Sequence, residues 1–264
     1  MNFLESILEH KRLEVAERKK AVLRSRLEDM PKYSYPRLSL RAALENTDLA
    51  VIAEIKKASP SKNVIREKFD PLGLAREYVQ GGASALSVLT DEKFFQGRLE
   101  YIERMRNFVS IPILMKDFVI DPYQLYEARA HGADAILLIA AAMEPAELLA
   151  LHEQAMALGL ESLVEVHTEE DCDKLDLQQF SLVGINNRDL MTFETDILTS
   201  AKLRKYIPQS ATVVSESGIT SVRDLETLSK AGIHAVLIGE HFMRSPDPGR
   251  CLAELLAEAA GNPT

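Results

Sequence analysis

Lysines, carboxylates and an amide stand where apolar runs end. Lys116 follows PILM, Glu54 and Lys56 lie two apart in AVIAEIKKA, and Glu165 lies late in ESLVEVH. Asn186 and Arg188 close LVGINNR, while Ser215, Glu216 and Ser217 close TVVSESG. An unpaired ammonium in an apolar wall is costly or is driven neutral, so Lys116 must either meet carboxylates or mark the point where a strand leaves the core. Lysines beside carboxylates in a partly dry site stay ionised and titrate together, whereas a second lysine nearby lowers an ammonium's pKa. Such a set can donate and accept protons near neutral pH, which is general acid and base catalysis. Any one of these residues also fits a solvated strand end or a structural ion pair. The group as a whole, beside the uncharged strand bodies AVIA, PIL, AILLI and AVLI, points to a shared mouth.

Two glycines add a second element. Gly218 in ESGITSV and Gly239 in IGEHFMRSPDP each precede an expected helix start, where backbone amides unobstructed by a side chain can bind an anion. A turn alone would also favour glycine. Ser59 and Ser61 in KASPS can add hydroxyls to the same anion. GxGxxG, Walker, GxSxG and HExxH patterns do not occur, so nicotinamide, nucleotide-hydrolysis, serine-hydrolase and zinc-protease readings have no support. Of six histidines only His167 falls at a strand end. It reads as a supporting or exposed residue, with no metal-ligand set around it.

Parallel strands are the elements able to bring these residues together. Eight apolar runs, at 50–58, 85–91, 112–118, 135–141, 161–167, 182–188, 212–218 and 235–240, are too continuously apolar for strands solvated on one face. Amphipathic segments such as DPLGLAREYVQGG, DPYQLYEARAHGA, EPAELLALHEQAMALGL and TSVRDLETLSKAGI separate them. These open on acidic or hydroxyl residues, and Gly82, Gly132, Gly159 and Gly232 mark their ends. The repeat predicts an α/β fold, a closed (β/α)8 TIM barrel over residues 1–264, with a doubly wound open sheet as the competing arrangement. Residues 1–48 precede the repeat as an N-terminal helical extension, with a helix in SILEHKRLEVAERKKAV, breaks at Pro31 and Pro36, and a shorter helix in LRAALEN. This extension is either a packing cap or a flap over a ligand site.

Composition bounds the partners. Hydrophobic residues at 46% and charged residues at 27% describe a globular chain, and the net charge of −9 argues against general affinity for nucleic acid or an anionic membrane. Cys172 and Cys251 form no framework or CxxC pair, which suits a reducing cytoplasm. The first residues lack a signal-peptide core, and the longest apolar run, Ala135 to Met143, is too short for the roughly 20 residues of a membrane span.

The stretches AEIKKASPSK, LTDEKFFQG, PILMKDFVID, ADAILLI, LVEVH, VGINNRDL, VSESGI and LIGEHFM together resemble indole-3-glycerol phosphate synthase, in order over residues 50–245. The N-terminal helical segment is also a feature of that family. The resemblance implies ring closure of 1-(2-carboxyphenylamino)-1-deoxyribulose 5-phosphate, with loss of carbon dioxide and water, in tryptophan biosynthesis. It implies no cofactor and no metal. Lys116 is then the general acid, Glu165 the carboxylate that handles the later proton removal, and Glu54 with Lys56 a second acid/base pair, Lys56 also meeting the substrate carboxylate. Asn186, Arg188, Glu216 and Ser217 position substrate, and Ser59, Gly218, Gly239 and Glu240 surround the phosphate, Glu240 through its backbone amide. Phe94, Phe95 and Gly97 resemble a mobile loop whose aromatic rings cover the anthranilate. Leu89, Leu138 and Leu190 are expected as its apolar floor. Asn63 stands where the family pattern has glycine, and Arg98 where it has serine. The expected state is a cytoplasmic monomer acting on a small phosphorylated molecule, with weak association with other tryptophan-pathway enzymes. Two rivals remain at this level: a Schiff-base lyase or sugar-phosphate isomerase using Lys116 or Lys56 as imine former, and a catalytically silent barrel that binds a phosphorylated metabolite.

Overall fold

The computed structural model describes residues 3–60, 62–190 and 192–261. Eight strands form the centre: β1 (Ala50–Ile55), β2 (Ala85–Leu89), β3 (Ile113–Lys116), β4 (Ala135–Ile139), β5 (Glu161–Val166), β6 (Leu182–Asn186), β7 (Thr212–Glu216) and β8 (Ala235–Ile238). All are parallel, each pairs with its neighbours in sequence, and β1 pairs with β8 through Ala53 opposite Ile238, so the sheet closes. The open-sheet alternative is thereby excluded.

Strand periodicity divides each strand between two cores. Val51, Ala53, Leu86, Val88, Ile136, Leu138, Val164 and Val236 face outward, under the helices. Ala50, Ile52, Ala85, Leu114, Leu137, Leu163, Val214 and Leu237 fill the barrel interior. The same alternation, continued along each strand, turns Glu54, Lys116, Glu165, Asn186 and Glu216 inward at the carboxyl-terminal rim. Small alanines at the opposite end leave room for a plug, and the extension supplies it: Leu40 and Leu44 of a short helix (Leu40–Glu45) are fully buried in the interior cluster.

Helices begin where the sequence signals them. Asp70, Asp121 and Ser221 cap the helices Pro71–Gln80, Pro122–His131 and Val222–Lys230 by accepting backbone N–H bonds. Gly82, Gly132, Gly159 and Gly232 follow helix ends with φ between 71° and 94°, a left-handed conformation that costs glycine nothing. Helix α1 (Phe3–Ala21) lies along the barrel and reaches its rim. A two-residue antiparallel ladder, Ala58–Ser59 with Asn63–Val64, follows β1 and was not legible in KASPSKNV. Among the described residues no helix is long and apolar enough to cross a membrane.

Candidate active site

Lys116 is the centre of the charge arrangement. Its Nζ lies 2.9 Å from Glu165 Oε2 and also donates to Glu216 Oε2. Burial works against the ammonium, but the Glu165 and Glu216 carboxylates, with Glu54 adding, outweigh it, and the Lys116 pKa is raised. The lowering expected from a second lysine is not seen. Lys56 instead donates to Glu54 Oε2, which sits two residues earlier on the same side of the strand. Burial also pushes the Glu216 carboxyl up, against the pull of Lys116 and with the Glu165 charge adding. Burial acts the same way on Glu165, but there the Lys116 ammonium and then His167 prevail, and its pKa falls. Two carboxylates sharing one ammonium thus separate into one that holds its charge and one that favours a proton.

Glycines make room for these groups. A Cβ at Gly239 would overlap the Glu54 carboxylate, and one at Gly184 would overlap Glu216 Oε1. Gly239 is therefore required by the acid/base pair itself, beyond any role beside an anion. Ser217 and Gly218 adopt φ of 70° and 80°, and a Cβ at Gly218 would also strike Thr195. The amides of Gly218, Ile219 and Gly239 have no intramolecular acceptor among the described residues, which leaves them free for an anion.

A cavity of about 520 Å³ opens at this rim, bordered by Glu54, Lys56, Lys116, Glu165, Asn186 and Arg188 and by Glu216, Ser217, Gly218, Gly239 and Glu240, whereas Phe94, Gly97, Leu138, Ser215 and His167 do not border it. Ser59 lies on its edge; Ser61 falls outside the described residues. Glu240 turns its carboxylate to Arg188 at 3.4 Å and to Arg244 at 3.0 Å, which removes the conflict between an acidic side chain and a phosphate. Phe94 instead packs edge-on against Phe3 of α1 at 5.9 Å, and Phe95 is the ring that faces the cavity. Asp91 accounts for this by capping the four-residue helix Glu92–Phe95 through the Phe94 N–H, which fixes where the two rings point. Leu89 and Leu190 form part of the apolar floor as expected. Leu138 does not: it faces the outer core, and Leu137 takes the place, a one-residue error that sends a strand side chain to the opposite face. Ser215 is likewise turned outward, bonded to Asn187 and Ser200.

Both departures from the family pattern have local readings. Asn63 adopts φ of 54°, which asparagine tolerates better than most residues in place of glycine. Arg98 precedes the helix Leu99–Met105 without a side-chain cap bond, the place where a serine would provide one.

The extension contributes more than the sequence showed. Phe3, Leu4 and Ile7 line the cavity, so α1 is a wall of the site as well as a packing element. Lys11, one turn further on, is fully buried and pairs with Asp91 and Asp117, both at 2.8 Å. Asp117 points away from Lys116, as adjacent strand residues do, and accepts from Thr90. The signal that identifies this face was present as Phe3, Ile7 and Lys11 at four-residue spacing.

With the geometry in place, comparison with known proteins is specific. The family model described as indole-3-glycerol phosphate synthase matches residues 4–255. A relative of that name from Salinibacter ruber is 48% identical over 260 residues, covering 98% of this chain and 96% of the relative. Another, from Carboxydothermus hydrogenoformans, is 47% identical over 264 residues and covers 97% of this chain and 100% of the relative. A crystal structure of KGPDC from Streptococcus mutans superposes with a TM-score of 0.61 at 14% identity, over 81% of this chain and 98% of that one, which supports the fold alone.

Proposed function

Because the chain belongs to the indole-3-glycerol phosphate synthase family, a carboxy-lyase family of tryptophan biosynthesis, we propose that Lys116, clamped by Glu165 and Glu216, is the acid that starts its ring closure. The observation behind this is geometric: an ammonium clamped by two carboxyl groups at the floor of an otherwise partly apolar cavity. When the anthranilate ring carbon attacks the substrate ketone, Lys116 protonates the developing alkoxide and stabilises its charge. Decarboxylation restores the aromatic ring. Glu165, ionised, then removes the proton that accompanies loss of water. Glu54 and Lys56 form the second acid/base pair, with Lys56 meeting the substrate carboxylate.

Asn186, Arg188, Glu216 and Ser217 orient the polyol and carboxylate from the ends of β6 and β7. The phosphate sits against Ser59, the free amides near Gly218 and Gly239, and the backbone of Glu240. Phe95, Leu137 and Leu190 enclose the benzenoid ring, with Phe94 acting indirectly through Phe3. The substrate is a small phosphorylated molecule. The accompanying proposals are that the whole 264-residue chain works as one unit, a cytoplasmic monomer, with weak association with other tryptophan-pathway enzymes. Sedimentation at 29.4 kDa is the check on the monomer.

An imine former must reach a neutral amine, which two carboxylates against Lys116 oppose. Wild-type enzyme turning over the synthetic substrate is therefore expected to survive borohydride without a trapped adduct. A covalent adduct on Lys116 or Lys56 would overturn the acid/base assignment in favour of a Schiff base.

A further inference from the structure

Three aromatic rings from separate parts of the chain meet at the mouth of the catalytic cavity, and the function assigned above draws on only one of their contacts. Phe3, in the first turn of α1, packs edge-on against Phe94 on one side, with ring centroids 5.9 Å apart and planes at 84°. On the other side it meets Phe193 in the same manner, at 5.5 Å and 69°. Both separations lie in the range where edge-to-face rings attract. Phe94 belongs to the loop after β2 and Phe193 to the loop after β6, which are opposite members of the closed ring of eight strands. Phe3 therefore joins loops that rise from opposite sides of the barrel. Phe3 and Phe193 border the cavity, and Phe94 does not.

The two ends of this row are fixed more firmly than its middle. Phe94 is held by its N–H bond to Asp91 at 2.7 Å and by the edge-on ring of His10 at 5.8 Å. Phe193 adopts φ of 60°, a left-handed conformation that is costly for a bulky side chain. Its N–H donates to the Asp189 carbonyl at 3.0 Å, and its carbonyl accepts from the Arg188 guanidinium at 3.3 Å. A strained residue held in this way at the rim of a site points to a ring aimed for a purpose. Phe3, in contrast, is half-buried at a helix end, while Ile7 and Leu8 of the next turn are buried and Lys11 beyond them is paired with Asp91 and Asp117. Helix ends fray at little cost while anchored turns stay in place. Leu4, beside Phe3, borders both the catalytic cavity and a second of about 840 Å³, so the first turn of α1 is also part of the partition between them.

Resting on the reading of this cavity as the substrate site, we infer that Phe3 is a positioning residue that latches the loops after β2 and β6 over bound substrate and product. Fraying of the first turn of α1 opens the latch for entry and release. A ligand in the cavity adds contacts that exist only in the latched arrangement, and this differential affinity shifts the population towards it. Phe3 acts through the two loops and takes no part in proton transfer.

The chain has no tryptophan, so the indole of the product is the only indole in the sample and its release can be followed directly by stopped-flow fluorescence. Wild type is set beside Phe3→Ala, Phe94→Ala, Phe193→Ala and the double variant Phe3→Ala/Phe193→Ala, with KM and the single-turnover rate at saturating substrate measured for each. Every single variant is expected to release product roughly fivefold faster and to raise KM by a similar factor, the value of one edge-to-face pair, with the single-turnover rate within about twofold of wild type. Phe94→Ala is the decisive variant, because its ring does not border the cavity and reaches the ligand only through Phe3. The double variant is expected within about twofold of the faster single variant, since one break opens the latch, whereas independent wall contacts would multiply to roughly 25-fold. Unchanged release in Phe94→Ala, a multiplied effect in the double variant, or a slowed single turnover with unchanged release would each overturn the latch. Phe94 and Phe193 lie in loops, so their variants decide the matter even if Phe3→Ala disturbs the end of α1. A wild type that does not bind indole-glycerol phosphate would overturn the reading of the cavity, and the latch with it; a wild type that binds it but releases it no more slowly than the variants would remove the latch alone.

Discussion

At the scale of single residues, the site works by giving similar side chains different environments. Glu165 and Glu216 both meet the Lys116 ammonium, yet the first is taken down to about 2 and the second pushed up to about 8. The consequences for stability have opposite signs. An unfolded chain releases the Glu216 proton near the ordinary 4.5, whereas the folded site keeps it towards 8, so Glu216 lowers stability as pH rises through that window. Glu165 contributes stability above the ordinary carboxyl range, lost as pH falls towards 2. The Glu216→Gln variant should accordingly lose less stability than wild type between about pH 5 and 8, read as the urea midpoint across that range. An identical slope in the two proteins would contradict the assignment of the proton to Glu216.

At the scale of elements, α1 and the rim of the barrel are joined by one buried cation. Lys11 holds Asp91, which caps the helix bearing Phe95, and Asp117, which follows Lys116 in the chain. Removing the ammonium strands two buried carboxylates. Lys11→Met is expected to cost about 3–5 kcal/mol of unfolding free energy, by denaturant titration, the usual penalty for breaking a buried pair from one side. Adding Asp117→Asn should recover part of it, and a Lys11→Met protein as stable as wild type would refute this coupling of α1 to the rim. Elements of this kind also show where sequence was legible. Eight strands and their caps announced themselves through apolar runs, Asp, Ser and Gly, because each signal is local. The helix Glu92–Phe95 and the ladder at Ala58–Ser59 are too short for periodicity to register, and of the two rings expected over the cavity only Phe95 faces it, because a four-residue helix sets the direction of each ring.

At the scale of the whole molecule, the inward parity of eight parallel strands converts residues scattered from Glu54 to Glu240 into one rim. That convergence was readable, since a closed barrel sends all strand ends the same way. The parity of any one strand was not, as Leu138 shows: an all-apolar run carries no alternation from which to choose a face. Nor was the partnership between α1 and the rim, because Lys11 in a charged helix looks solvated until Asp91 and Asp117 are brought to it. The central claim remains that the ammonium at the end of β3 does the first proton transfer. Its most direct measurement sets Lys116→Ala beside wild type, with formation of indole-glycerol phosphate followed by fluorescence and product affinity followed by calorimetry. Turnover is expected to fall by roughly 10²–10⁴, the contribution of a positioned general acid, with affinity for the phosphorylated product within about threefold. Turnover close to that of wild type in the alanine variant would contradict the account.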